Sequence, residues 1–497
     1  MKKLIIPILF CAALFGSSLH LSMSANPGRI NPILSTDSVS AEISQFIFNS
    51  LITYDENASI KMELAKSYEF LDNRTLLFHL RDDILWSDGE RFGAKDVLFT
   101  YESIISPKLS TPYAADFKHV EKVEALDNLS VKITYKYPYF KALETWMMGI
   151  LPEHILKNES SLMTSSFNQK PTGTGMFTLK KFSISSDFIL EANKKYFLGS
   201  PKLDSLVYHF APDTTTEFLM LKAGELDMGD ITPLQFNRQL DKKFREKYDI
   251  HESISHSYSY VGFNLDLPKF KDAKIREALS LAIDRQELID ILLFGEGVVC
   301  TGPFLPATNA FNAEVKLPER DIKKAKELLK KAGYDEKNPF EFELVTNTGQ
   351  RTYAAQILQR QLKEAGVLMK IRVMEWQAFL NTVITPRRFD AFLMGWSLGI
   401  KSDAYAIWHS ESDKVGGFNL VGYKNDEVDK LIKEAERTID EDEFGRIYRR
   451  IFALIADDKP YLFLFIPKKL TAVNKNISHV YPSIIGITHN ILEWEKR

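Results

Sequence analysis

Aromatic rings and one carboxylate crowd the last third of the chain: Trp376, Trp396, Tyr405 and Trp408, with Asp403 among them. Most lie in Phe389-Asp-Ala-Phe-Leu-Met-Gly-Trp-Ser-Leu-Gly-Ile-Lys-Ser-Asp-Ala-Tyr-Ala-Ile-Trp408. This stretch begins as an apolar run of strand length and breaks at Gly395, Trp396 and Gly399 into a loop. A buried strand opening into a loop of aromatics and one acid suits a small-molecule pocket. Rings offer large contact area at small entropic cost, and Tyr113, Tyr258 and Tyr260 join them as candidates. For each of these aromatics taken singly, core packing is the competing reading.

Covalent chemistry leaves no comparable mark. The sequence has no G-x-S-x-G elbow, no H-E-x-x-H and no Walker loop. Its ten histidines are scattered, with His251 and His256 on an exposed-looking segment, and no metal site is expected from them. Gly173-Thr-Gly175 lacks the third glycine and the lysine of a phosphate loop, and reads as a tight turn. Acid pairs such as Asp82-Asp83 and Asp457-Asp458 fall at turns or helix ends, where capping explains them. Two carboxylates far apart in sequence can still meet in space, so a hydrolase stays open.

The elements that must position the pocket follow from periodicity. Ser40 to Tyr54 is expected as a helix, and Val131-Lys-Ile-Thr-Tyr135 as a strand. Asp272 to Leu293 reads as one long amphipathic helix. From there strands and helices alternate: strands Phe340–Val345, Met369–Val373, Phe389–Met394 and Tyr461–Ile466, with helices at Arg351–Ala365, Trp376–Val383, Glu427–Thr438 and Glu443–Ala456. This alternation predicts an α/β lobe, whose ligands gather beyond strand ends. The lysine-rich line from Ile322 to Lys331 keeps its apolar residues at helical spacing, so it reads as a solvated helix face.

Bulk properties narrow the class. At 497 residues, 45% hydrophobic and 26% charged, the chain needs two or three globular domains. A net charge of −3 with no basic concentration argues against a nucleic-acid partner. Lys2 and Lys3 precede an apolar run from Leu4 to Gly16, then Ser22-Met-Ser24, a small-x-small pattern. These are the marks of a secretory signal peptide cleaved near Ser24, with a soluble exported product. Cys11 sits in that run, which leaves Cys300 as the only cysteine of the exported chain, with no disulfide and no zinc site.

Several landmarks in order then resemble one family. They are Ile30-Asn-Pro32 with Ile47-Phe-Asn-Ser-Leu51, Leu64-Ala-Lys-Ser-Tyr-Glu-Phe70, and Phe78-His-Leu-Arg81. Next come Trp86-Ser-Asp-Gly89, Ala94-Lys-Asp-Val97 and Pro171-Thr-Gly-Thr-Gly175. Asn264-Leu-Asp266, Ile275-Arg-Glu-Ala-Leu279, Ala282-Ile-Asp-Arg285, Asn347-Thr-Gly349 and Gly395-Trp396 complete the series. From about Arg29 to the C-terminus the chain resembles the family 5 extracellular solute-binding proteins, the oligopeptide, dipeptide and nickel-chelate receptors of ABC importers.

The resemblance implies an α/β fold of the periplasmic binding protein type II-like kind, with discontinuous lobes closing about a hinge and an extra inserted domain. Domain I would be built from 25–66, 171–268 and 469–497, domain II from 67–170, and domain III from 269–468, after a signal peptide at 1–24. It implies a monomeric periplasmic receptor, without catalytic residues, cofactor or metal, that captures a peptide and presents it to a membrane permease. A non-peptide ligand (sugar, opine or metal chelate) and a secreted hydrolase are the alternatives. A ligand favouring the closed form 100-fold supplies about 2.7 kcal/mol toward closure.

Among site residues, the resemblance points to Thr36 and Ser38 at the edge that meets the ligand backbone. It places Tyr113, Trp376 and Trp396 in the cleft lining, which Tyr260 joins as a candidate aromatic read from the residues themselves, and Arg351 as holder of a ligand carboxylate. Two clamps of peptide receptors are missing: Gly399 stands where an amine-binding Asp is usual, and Leu393 where an Arg can occur. Asp403 is the nearest carboxylate able to take over the amine.

Overall fold

The computed structural model describes residues 17–182, 188–414 and 416–497. The expected leader, with Lys2, Lys3 and Cys11, lies outside them. No helix among the described residues is long and apolar enough to cross a membrane.

The described chain starts in a strand, Ser18–Met23, which runs parallel to Ser205–Phe210 and forms the edge of a four-stranded sheet with Phe188–Ala192 and Phe177–Lys181. Leu19, Leu21 and Met23 point inward and are buried. The His20 amide donates to Asp227, and Lys496 donates to the Ser18 carbonyl. Cleavage near Ser24 would remove this strand and its pairing with Ser205–Phe210. The alternating pattern Ser-Leu-His-Leu-Ser-Met belongs to a half-buried strand, whose last residues coincide with the small-x-small pattern of the expected processing site.

The first helix is shorter than expected, Ser38–Ile47, capped by Asp37, whose carboxylate accepts from the Ser40 amide. Ile52–Tyr54 forms a strand with Ile60–Met62 instead of continuing the helix. The loop at Gly173 and Gly175 lies against the end of this helix. A Cβ at Gly173 would stand 1.8 Å from the Ile47 carbonyl oxygen and one at Gly175 2.3 Å from that of Phe46. These glycines serve close backbone packing.

An antiparallel sheet in the order Ala65–Asp72, Thr75–Leu80, Ser130–Tyr135, Val120–Asp127 makes the inserted unit. The motif Trp86 … Ala94-Lys-Asp96 has a plain role there. Asp96, buried, accepts from the amides of Gly93 and Glu153 and from the Trp86 indole. Burial pushes its carboxyl pKa up while those donors pull it down.

An eight-stranded sheet unites the rest. Its long strand Tyr461–Asn474 pairs with Ser257–Phe263 and Gly297–Val299 over its first half, then with Tyr248–Ile254 and Met228–Ile231 over its second. The partners switch at Pro467 and Lys468, and the adjacent chain crosses between Ser255 and Ser257, upstream of the 268/269 boundary read from the sequence. Two crossing strands therefore connect a first lobe to a second one, which contains Ala391–Ser397, Phe340–Asn347 and Val367–Met374 in the same sheet. The expected helix from Asp272 to Leu293 is two helices, Ala273–Ala282 and Arg285–Leu293, because Asp284 caps the second by accepting from the Glu287 amide.

Candidate functional site

The pairing of Ala391–Ser397 with Ser257–Phe263 sets Trp396 opposite Tyr258 and Met394 opposite Tyr260. The strand runs on through Ser397, so Trp396 sits on the strand rather than in the loop. Its ring lies parallel to that of Tyr260, with centroids 6.3 Å apart, and Tyr260 stacks on Tyr461 at 4.0 Å. The Trp396 indole N–H donates to the Tyr461 hydroxyl at 3.3 Å. Phe418, 55% exposed, meets Trp396 edge-on. Burial raises the pKa of Tyr260 well above its ordinary value and that of Tyr461 to about 12, so both hydroxyls keep their protons.

Arg351 enters this aromatic floor from the first turn of the helix Gln350–Glu364. Its guanidinium lies 5.7 Å from the Trp376 ring centre and donates to Asn347 Oδ1 at 2.9 Å. A Cβ on Gly395 would be 3.5 Å from its Nη2 and 2.9 Å from the Tyr258 carbonyl, so the glycine gives the backbone room. Desolvation lowers the arginine's pKa, yet no carboxylate pairs with it among the described residues. A charged, half-buried fork over a tryptophan is ready for a planar anion. The helix N-terminus behind it, whose Gly349 cap supplies no side-chain acceptor, has the same preference.

The structure thus brings together four of the expected residues: Tyr260, Arg351, Trp376 and Trp396. The others stand elsewhere. The Tyr113 hydroxyl donates to the Ser35 carbonyl at 2.7 Å, and Thr111 donates likewise to Ile33, tying the inserted unit to the segment before the first helix. Thr36 and Ser38 are exposed; Ser38 lines a different cavity, of about 310 Å³, with Ser22, Glu42, Tyr208 and Asp230. Asp403 has both oxygens engaged, one by Lys141 Nζ at 2.7 Å and the other by the Tyr405 amide at 3.1 Å. Trp408 is core, buried between Tyr461 and Tyr423.

Sequence reasoning missed Tyr461, Asn347 and Phe418 as members of the floor. Tyr461 opens the run Tyr-Leu-Phe-Leu-Phe-Ile466, whose apolarity signals only a buried strand. Nothing in the sequence marks Phe418. Among the described residues no group of three or more His, Cys, Asp or Glu side chains has a geometry that could hold a metal ion.

Comparison with known proteins agrees with this architecture. The model of bacterial extracellular solute-binding proteins, family 5, middle region, matches residues 59–418. The oligopeptide-binding protein AppA of Bacillus subtilis is 33% identical, over 96% of this chain and 91% of its own. Its structure with a nonapeptide superposes with a TM-score of 0.78 at 32% identity, covering 97% of this chain and 99% of that one. NikZ of Campylobacter jejuni, solved with Ni(L-His), gives a TM-score of 0.80 at 30% identity, covering 97% and 100%.

Proposed function

Because this chain belongs to the bacterial extracellular solute-binding proteins of family 5, we propose that it is the receptor of an ABC importer, capturing a peptide between its two lobes. The observation that carries the peptide reading is Arg351. It is a half-buried guanidinium without an acidic partner among the described residues, set on Trp376 beside Trp396 and Tyr260. A ligand's terminal carboxylate would satisfy its fork, and the flat rings would cover side chains without reading their sequence. The similarity to AppA, solved with a nonapeptide, supports the same class. Residues 67–170 form the inserted domain, and the lobes turn about the crossings at Ser255–Ser257 and Pro467–Lys468. Closure would enclose the ligand and present a joint surface to the permease. The receptor acts as a monomer, binds without turnover, and is exported with processing upstream of Ser18.

The test is retention. Protein stripped of bound material by unfolding and refolding is offered a peptide mixture, and what it keeps is identified by mass spectrometry. Short peptides with free C-termini are expected, and their absence would sink the peptide reading. Arg351→Ala should weaken them by about 30-fold or more, the usual loss when one partner of a buried charged pair is removed, and should barely change binding of C-amidated peptides.

A second reading is favoured by Gly399 and by the engagement of Asp403 with Lys141, which leave no evident carboxylate for a ligand ammonium. In a metal–amino-acid chelate the amine and one carboxylate oxygen bind the metal, so no ammonium needs a partner while the second carboxylate oxygen stays open to a guanidinium; NikZ was solved with Ni(L-His). Calorimetry with nickel and histidine together, against each alone, separates the two.

A further inference from the structure

We infer that the inserted unit and the second lobe form a latch that holds the cleft shut, and that Asp403 belongs to this latch rather than to ligand binding. The inference rests on the two-lobe reading proposed above. Two crossings join the lobes, so everything else between them consists of contacts that opening must break.

The inserted unit moves with the first lobe. Main-chain bonds fasten it there: the Ile150 amide to the Asn49 carbonyl, Ser87 to Gly173, and Ile30 to Asn168, all at 2.8–2.9 Å. The buried side chains of Asn31 and Asn168 add another bond at 2.9 Å. Against the second lobe it offers chiefly side-chain tips. Phe140 stacks on Phe444 with centroids 5.3 Å apart and planes 14° from parallel. Lys141 meets Asp403 at 2.7 Å. Lys401 lies between Glu441 of its own lobe and Glu144 of the inserted unit, 3.5 Å from the latter. His119 Nε2 lies 3.5 Å from Glu436 Oε1, and one main-chain bond runs from the Phe140 amide to the Glu436 carbonyl. Two cations rest on rings across the same interface, Lys118 on Tyr405 and Arg437 on Tyr137.

The character of these contacts suits a device that must open. Lys401 and Glu144 are 11% and 14% exposed where they meet, so their attraction is largely offset by the water they give up. Separated, both would be rehydrated. Such pairs contribute little net stability but demand one register, which makes closure specific without making it irreversible. The loop after Trp396 carries both Lys401 and Asp403. A ligand that stills Trp396 therefore also sets the second lobe's half of the latch, which couples occupancy to closure.

The test measures interlobe distance with and without ligand. Dyes are placed through Asn128→Cys on the inserted unit and Glu336→Cys on the second lobe, both exposed, while Cys300 is buried and will not label. In the unliganded protein, Lys141→Ala combined with Lys401→Ala should shift the single-molecule distance distribution toward open. Release of a bound peptide should quicken at least tenfold. Phe140→Ala should act in the same direction, with circular dichroism confirming that it folds. The exchange of Lys141→Asp with Asp403→Lys should restore the closed population, and Arg450→Ala, which breaks the Arg450–Glu427 pair within the second lobe, should change nothing. A distribution in the double variant that superposes on the wild type overturns the latch. So does a selective loss, in Asp403→Ala, of peptides with a free N-terminus over N-acetylated ones. If the wild type retains no peptide, the peptide reading fails while the unliganded distances still judge the latch.

Discussion

Arg351 and Asp403 were both candidates for gripping a charged ligand end, and the structure separates them by their partners. Arg351 has an amide oxygen and a ring face, whereas Asp403 has an ammonium and a backbone N–H. An unpaired charge at such depth costs several kcal/mol unless something arrives to meet it, so the first is open to a ligand and the second is already answered. His119, in the same interlobe region as Asp403, makes a residue-scale prediction. It is buried, its Nδ1 hydrogen-bonds the Tyr137 hydroxyl, and Lys118, Lys136 and Lys141 face it together with Asp403 and Glu436. Desolvation, then Lys118 and Lys136, pull its pKa down to about 4. The unfolded chain binds this proton near pH 6.5, so its contribution to stability is present at neutral pH and is lost as pH falls from about 6.5 toward 4. An NMR titration of the imidazole should find it neutral at pH 5.5; a midpoint near 6.5 would show that the ring is not desolvated.

At the scale of elements, the sequence was most readable where pattern and local chemistry agree. The lysine-rich helix Ile322–Lys331, the helices Asp426–Glu436 and Glu441–Asp458 and the strand beginning at Tyr461 all lie within a few residues of their expected places. Boundaries went astray where a capping side chain or a partner strand decided them. Asp284 split one helix, and pairing with Ile60–Met62 turned Ile52–Tyr54 into a strand. The floor of the site was half legible. Trp396 and Arg351 carry local signals, but Tyr461 reaches them only through sheet register, which a single chain does not display. The N-terminal strand was not legible for the opposite reason, since its serines satisfy two unrelated rules. It also makes the element-scale prediction. Leu19, Leu21 and Met23 are almost completely buried, and three such side chains are worth roughly 5–9 kcal/mol. A protein starting at Ala25 should lose at least about 5 kcal/mol in urea titration, comparable to the whole margin of many domains. Mass spectrometry of the exported protein should find an N-terminus at or before Ser18, and a stable, secreted form beginning at Ala25 would refute the strand's importance.

For the whole molecule, the arrangement of cores decides how binding and stability are linked. One hydrophobic core runs from the four-stranded sheet of the first lobe through the sheet of the inserted unit to Trp408, Tyr448 and Tyr461 of the second lobe, a second sits behind Phe263 and Leu279 on the far side of the hinge sheet, and a third gathers around Phe218 and Tyr248 in the first lobe. A core shared across the interface between the inserted unit and the second lobe makes the chain unfold as one unit while the two are in contact and as parts once they separate. The two cases differ in what a ligand does to the melting temperature. Ligand at 100 times its Kd contributes about 2.7 kcal/mol. Spread over an unfolding entropy of roughly 1 kcal/mol/K for a chain of this size, this raises Tm by only about 3 °C if unfolding is a single step. If the unliganded lobes melt separately, the lobe with the lower Tm carries about half that entropy, and ligand must also fasten it to its neighbour, so its transition should rise by about 6 °C or more and merge with the other. The latch argues for the single step in the wild type and for two steps once Lys141 and Lys401 are both replaced by alanine. Calorimetry of the two proteins, each with and without saturating peptide, should show the small shift in the first and the large, merging shift in the second. Identical shifts would mean that the two lysines do not decide whether the lobes melt together.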